Sequence, residues 1–298
     1  MTEHPEQPPD HLAMRPGRWD DPVSQVIEAD AVTSAERYPE VVARGPLFGF
    51  AEQRPEDGPR WRLLSDLDAG YPQDARDELN SHLWFKAKDG TNDPRERRAL
   101  LDAVAVLETE PVDELTVDGT RYRIVRADEF ARRGKAGMEP PRPTDPEPES
   151  WDRDERSPSR TRGFVVSQPG PVPLPATFRV LERRGCSWSM TTSQLPTPQD
   201  ARRALADYLE EFLPRMERAT EAEAALYAEA AAAFKQRRRP NELHVLGREF
   251  RITRVERTLR VGPDGPEPPR PSDPDINAPM KMHPTMDEHG MITHDDED

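Results

Sequence analysis

EPPRPTDPE at Glu139–Glu147 returns as EPPRPSDPD at Glu267–Asp275. A proline-rich phrase repeated almost verbatim within one chain marks an internal repeat, and a missed repeat misassigns the whole fold. With the two phrases superposed, the residues before them agree without a gap. Glu114-Leu115 falls on Glu242-Leu243, Val117 on Val245, Gly119 on Gly247 and Tyr122 on Phe250. Arg123-Ile124 falls on Arg251-Ile252, Arg126 on Arg254, and Gly134 and Gly137 on Gly262 and Gly265. After a small change of register, PQDAR at Pro72–Arg76 falls on PQDAR at Pro198–Arg202, Leu79 and Leu83 fall on Leu205 and Leu209, and Trp61 falls on Trp188. The chain therefore reads as a tandem duplication, with one copy over residues 46–148 and the other over 174–276.

Each copy carries the same local signals. Phe48–Glu52 and Trp61–Ser65 flank the turn-rich RPEDGP and predict a hairpin; Thr177–Glu182 and Ser187–Thr192 flank Arg184-Gly185 in the second copy. Pro72 and Pro198 stand where a helix can begin, because a missing N–H costs nothing at the first helical position. Thr197 is a natural N-cap. Ala75, Leu79 and Leu83 form one apolar stripe, as do Leu205, Leu209 and Leu213. Second helices start at Asp93-Pro94-Arg95-Glu96 and Thr220-Glu221-Ala222-Glu223, both of which read as capping boxes. Pro214 is expected to separate the two helices of the second copy. Asp118-Gly119 between alternating runs predicts a closing hairpin, and Leu246-Gly247 stands in register with it.

These signals predict an α+β fold built from a β-β-α-α-β-β module of about a hundred residues, each copy followed by a proline-rich arm. A module this small buries little apolar area alone, so the copies are expected to pack as a pseudo-twofold pair. The arm is too short and polar for a core; it either lies across its own module or swaps onto the other. Outside the copies, residues 1–45 read as an N-terminal arm with a helix at Asp30–Arg44 interrupted near Pro39. Residues 149–173 read as a charged, proline-rich linker and 277–298 as a mobile polar tail.

Composition narrows the function classes. The 298 residues carry a net charge of −15, which opposes binding to nucleic acid or anionic membranes as a whole-body effect. The single cysteine, Cys186, expected in a strand, excludes an intrachain disulfide and a multi-cysteine zinc site, and suits a reducing cytoplasm. No run approaches the roughly 18 apolar residues of a membrane span. The N-terminus lacks the basic and apolar regions of a signal peptide.

Chemistry-bearing residues are sparse. Phosphate-loop, dinucleotide, HExxH and nucleophile-elbow motifs are absent, so no catalytic residue and no cofactor is assigned. Only His82 and His244 fall inside the modules, and Thr116 stands where His244 does, which weakens any histidine chemistry common to both copies. Arg142 with Asp145 recurs as Arg270 with Asp273, and Arg126 recurs as Arg254. Duplicated guanidinium groups and carboxylates can line a cleft for an anionic ligand, or pin a loop to a strand. Trp61, Trp84 and Trp188 with Arg121, Arg123 and Arg126 carry the elements of a single-stranded nucleic-acid surface, against the overall acidity. The tail holds His283, His289, His294, Asp287, Glu288 and four methionines from Met280 on, in no spacing that defines a metal site.

RYPEVVARGPLFGFAEQ (Arg37–Gln53), LNSHLWFKAK (Leu79–Lys88), EFARRGKAGMEPPRPTDPEP (Glu129–Pro148), VGPDGPEPPRPSDPD (Val261–Asp275) and MKMHPTMDEHG (Met280–Gly290) together resemble an actinobacterial family, the domain of unknown function DUF5954. Streptomycete members carry the label PE-PGRS family protein; this chain has 16 glycines and no glycine-rich repeat. The resemblance implies no activity, cofactor or site residue. The expected function is a cytoplasmic, non-enzymatic protein-interaction or structural module with an unidentified protein partner. The alternative is a binder or enzyme for an anionic small molecule, with Arg126, Arg254, Arg142, Arg270, Asp145 and Asp273 lining a cleft between the copies. Single-stranded nucleic-acid binding ranks third.

Overall fold

The structure is a computed structural model and describes residues 22–148, 150–152 and 157–293. Residues 1–21 of the N-terminal arm, part of the linker and the end of the tail, His294 included, lie outside the described residues. Helix α1 covers Pro22–Arg37 and strand β1 Glu40–Gln53. The expected continuation of the helix to Arg44 does not occur: Pro39 lacks an N–H and drives Tyr38 out of the helical region, so the chain leaves as a strand. Strand β2 (Trp61–Leu63) pairs antiparallel with β1, Ala51 opposite Leu63, as the hairpin signal required.

Helices α2 (Pro72–Phe85) and α3 (Pro94–Leu107) follow. Strand β3 (Glu114–Val117) then pairs with β4 (Thr120–Gly134) through Asp118 and Gly119, both at positive φ, and β5 (Gly137–Met138) folds back on the end of β4. Short strands β6 (Val165–Val166) and β7 (Gly170–Pro173) occupy the expected linker. They lead to β8 (Thr177–Arg184) and β9 (Ser187–Met190). Helices α4 (Pro198–Asp207), α5 (Leu213–Met216) and α6 (Glu221–Gln236) precede β10 (Glu242–Val245), β11 (Arg248–Gly262) and β12 (Gly265–Pro266). A last hairpin joins β13 (Thr285–Met286) to β14 (Ile292–Thr293). The fold is mixed α and β with antiparallel strand pairing.

Several local expectations need correction. Pro214 does not separate helices; it sits in the first turn of α5, directly after a π-helical turn at Tyr208–Phe212, where its missing N–H has no cost. Thr220 and Glu223 form a reciprocal capping box, but Asp93 caps only the Arg95 amide, and Glu96 instead accepts from the Thr91 hydroxyl at 2.6 Å. Cys186 lies in the β8–β9 turn and is exposed.

The chain divides into two compact units that cut across the sequence copies. The first holds Met1–Arg44, Phe130–Pro158 and Pro175–Arg257; the second holds Gly45–Glu129, Ser159–Leu174 and Thr258–Asp298. In the second unit, α2 and α3 bury Leu79, Leu83, Trp84, Leu100, Val104 and Leu107 against Phe48, Phe50, Tyr122 and Ile124. In the first, α4, the π-helical turn Tyr208–Phe212 and α6 bury Leu205, Leu209, Tyr227 and Phe234 against Phe178, Val180, Phe250 and Ile252. Two pairs of hydrogen bonds recur in both. The Phe50 amide donates to Ser65 Oγ and the Val180 amide to Thr192 Oγ1, each at 3.0 Å. The Ile124 amide donates to the Asp113 carbonyl at 2.8 Å and the Ile252 amide to the Asn241 carbonyl at 2.9 Å.

Each proline arm serves the other copy's helices. The 15-residue strands β4 and β11 each pass from one unit to the other before their arms begin. In the second unit, Arg76 on α2 reaches Asp275 of the later arm and Asp113, each at 2.6 Å. In the first unit, Arg202 on α4 binds Glu147 of the earlier arm, with Asn241 Oδ1 at 2.7 Å and the Pro240 carbonyl at 2.8 Å. Of the two placements open from sequence, the arms take the exchanged one.

Thr253 marks a place where the copies differ inside a core. It stands where the other copy has Val125; its side chain is fully buried and its hydroxyl has no hydrogen-bond partner among the described residues. An unsatisfied buried hydroxyl is costly, and valine has nearly the same shape. Thr253→Val is expected to raise the unfolding free energy by about 1 kcal/mol in urea titrations; a loss of stability would show that the hydroxyl is satisfied.

Candidate functional site

The six residues picked out from the repeat are engaged within the chain. In the second unit, Arg126 Nε donates to Asp273 at 3.0 Å and its Nη1 to Asp128 at 2.6 Å. In the first, Arg254 Nε donates to Asp145 at 3.1 Å, and its guanidinium also pairs with Glu256. Arg142 binds Glu139 at 2.6 Å and Glu256 at 2.9 Å; Arg270 binds Glu267 at 2.6 Å. Asp145 and Asp273 do not pair with the side chains of Arg142 and Arg270. They accept those residues' backbone amides, at 2.7 and 2.8 Å, and so fold the arm into a turn. Burial alone would raise the Glu256 pKa, but Arg254, Arg142 and Arg132 hold it below the usual carboxylate range. Each guanidinium thus meets a carboxylate of its own chain, the arrangement of a pinned arm.

The tryptophans and the tail are also occupied. Trp61 is buried, with the guanidinium carbons of Arg123 and Arg121 at 4.8 and 5.1 Å from its ring centroid. Trp84 stacks on His283 at 4.7 Å and donates its indole N–H to the Pro284 carbonyl at 3.2 Å. Neither ring offers a face for base stacking. The segment read as a mobile tail places Met286 in the α2–α3 core, and Arg97 donates to the Glu288 carbonyl at 2.9 Å. Among the described residues, no group of three His, Cys, Asp or Glu is placed to hold a metal ion.

A cavity of about 600 Å³ lies beside α2 in the second unit. Phe50, Leu64, Phe85 and Met282 give it apolar walls. Its polar lining comes from one face of α2, where Asp74, Asp77, Glu78, Ser81 and His82 follow helical spacing, and from Ser65, Lys86 and Arg162. Lys86 opens a π-helical turn, Lys86–Gly90, of the kind that recurs at functional sites.

Most of these polar groups are committed. The Lys86 ammonium donates to the Tyr122 phenol at 3.1 Å, and Arg162 Nε to Asp66 at 3.0 Å. Asp77 accepts from the Gln73 amide at 2.9 Å, Asp74 from the Asn277 amide at 3.0 Å, and Ser81 shares a 3.1 Å hydrogen bond with His283. His82 packs 5.4 Å from the Phe50 ring, and burial, with the charges of Lys86 and Arg162, pulls its pKa down, favouring the neutral imidazole.

Glu78 is the exception. Among the described residues it accepts no hydrogen bond and has no cationic partner within 4.0 Å. It is exposed, yet partial burial of its carboxyl and then the carboxylate of Asp68 push its pKa up to about 7, against the opposing pull of Arg162. A carboxyl raised in the folded state is harder to ionise there than in the unfolded chain, so its contribution to stability falls as pH rises from about 4.5 to about 7. Glu78→Gln is therefore expected to raise Tm at pH 8 and to leave it nearly unchanged at pH 4.5; an equal gain at both pH values in thermal melts would exclude this electrostatic origin.

Reading the copies for what they share passes over this site, because it exists in one copy only. Ala204 stands where Glu78 does, Tyr208 for His82, Arg203 for Asp77 and Phe212 for Lys86. The signal was the divergence within the otherwise matched PQDAR helices.

A family model described as a family of unknown function, DUF5954, matches residues 21–170 and again 166–276. No curated protein and no solved structure matches the chain. No helix among the described residues is long and apolar enough to cross a membrane.

Proposed function

We propose that this chain, which belongs to DUF5954, a family of unknown function, is a small-molecule-binding protein whose ligand occupies the cavity beside α2. One observation carries the reading: a cavity of about 600 Å³, within the range of ligand pockets, joins apolar walls to a carboxyl that has no partner among the described residues. The anionic-ligand version is not kept, because the arginines it relied on already meet carboxylates of the chain. The proposal includes a duplicated β-β-α-α-β-β layout with exchanged arms and pseudo-twofold pairing, supported by the matched contacts of the two units. It also includes a cytoplasmic location, supported by the single cysteine.

The test is a fragment screen of the full chain by methionine-methyl NMR, with Met282 as the reporter in the cavity wall. Fragments that shift Met282, and lose that effect in Ser81→Phe, are expected. A screen in which no fragment moves Met282 overturns the reading.

A second reading, protein interaction, has its own observation: Val26, Ile27 and Val32 on α1 are all exposed aliphatic side chains. It predicts that replacing the three with serine abolishes stoichiometric recovery of a partner protein in pull-downs. Unchanged recovery would remove α1 from the interaction.

A further inference from the structure

We infer that the cavity beside α2 takes a small organic cation, an amine borne on an aromatic or aliphatic body, with Glu78 as its counter-ion. The inference rests on the proposal that this cavity is a ligand site and adds the class of ligand.

The walls set the body of the ligand. Phe50, Leu64, Phe85 and Met282 favour an apolar group. The polar lining sets the charge. Arg162 already faces the Asp66 carboxylate, and Lys86 donates to the neutral Tyr122 phenol, so one basic group stands against the carboxylates of α2. Asp74 and Asp77 each accept from a side-chain amide, which leaves both negative charges in place. Among the described residues, Glu78 has no hydrogen-bond donor and no cation within 4.0 Å. An entering carboxylate meets three like charges along α2; an alcohol leaves Glu78 without a counter-charge; an ammonium answers both conditions. Because the described residues place no three-ligand metal set here, the cation is an organic one.

Binding is then linked to protons. The titratable and charged groups facing Glu78 are Asp74, Asp77 and His82 on α2, Lys86 in the following turn, Asp66 and Asp68 before α2, and Arg162. Of these, His82 is held toward its neutral form by burial and the Asp77 carboxyl is raised by burial, while Glu78, pushed up to about 7, carries the step near neutral pH. Affinity for an amine is expected to fall about tenfold from pH 8 to pH 6 as Glu78 protonates.

Calorimetry on the full chain tests this with 2-phenylethylamine, 2-phenylethanol and 3-phenylpropionate. The expected result is that the amine binds at least about tenfold more tightly than the other two at pH 8, and that Glu78→Gln removes the amine's advantage over the alcohol. If the alcohol or the acid binds as tightly as the amine, the cation inference fails and the cavity reading stands. If none of the three binds while other fragments shift Met282, the inference fails alone. If none binds and the fragment screen is also empty, both fail.

Discussion

Arg202→Met is expected to lower the unfolding free energy by about 3 kcal/mol, the low end for removing one partner of a buried ion pair. Arg202 is 1% exposed and forms a three-way joint between α4, the start of β10 and the exchanged arm. Without it, Glu147 stays largely buried, and the Pro240 carbonyl and the Asn241 side chain lose their donors. The loss stays near that low end because Arg239, 3.3 Å from Glu147, still offers partial compensation. Replacing both partners, in Arg202→Met with Glu147→Leu, is expected to recover part of the stability, since an apolar pair needs no charge compensation. Urea unfolding with limited proteolysis of the Glu139–Glu147 arm reads both effects. A single variant within 1 kcal/mol of wild type would mean that Arg202 does not hold the arm.

Gly265→Ala is expected to cost about 3 kcal/mol or more. Its φ of +115° suits only glycine, and a Cβ there would lie 2.3 Å from Trp61 Nε1. Trp61 is buried under Arg121 and Arg123 and has nowhere to go. Gly137 is the matching residue of the other copy: its φ is +106°, and a Cβ there would strike the Arg251 guanidinium. That group lies at the end of a flexible side chain, so Gly137→Ala is expected to cost less, mainly through the hydrogen bonds of Arg251 to the Ala136 and Met138 carbonyls. Gly185→Ala is the control: φ is +61°, nothing lies within 4 Å, and about 1 kcal/mol is expected from backbone conformation alone. Equal losses at Gly265 and Gly185 in urea titrations would refute the steric account.

Local chemistry explains which expectations held. The Asp118-Gly119 hairpin, the Thr197 cap, the Thr220–Glu223 capping box and the proline-started helices were legible because each depends on a few neighbouring residues. Leu246 takes the same positive φ as Asp118 against its own preference, because the strands on either side of it impose the turn. Pro214 misled because the π-helical turn before it depends on packing rather than on the proline.

The amino-acid sequence alone determined that the chain is a duplicated α+β protein, since repeated phrases, caps, turn residues and apolar periodicity act over short distances. Tertiary structure decided where each arm goes, because the length and direction of β4 and β11, rather than the composition of the arm, bring Glu147 to Arg202 and Asp275 to Arg76. It also decided which charges remain unpaired. A guanidinium and a carboxylate look alike in sequence whether they are matched or not, and only the folded chain leaves Glu78, beside a cavity, without a partner among the described residues while the arginines find partners.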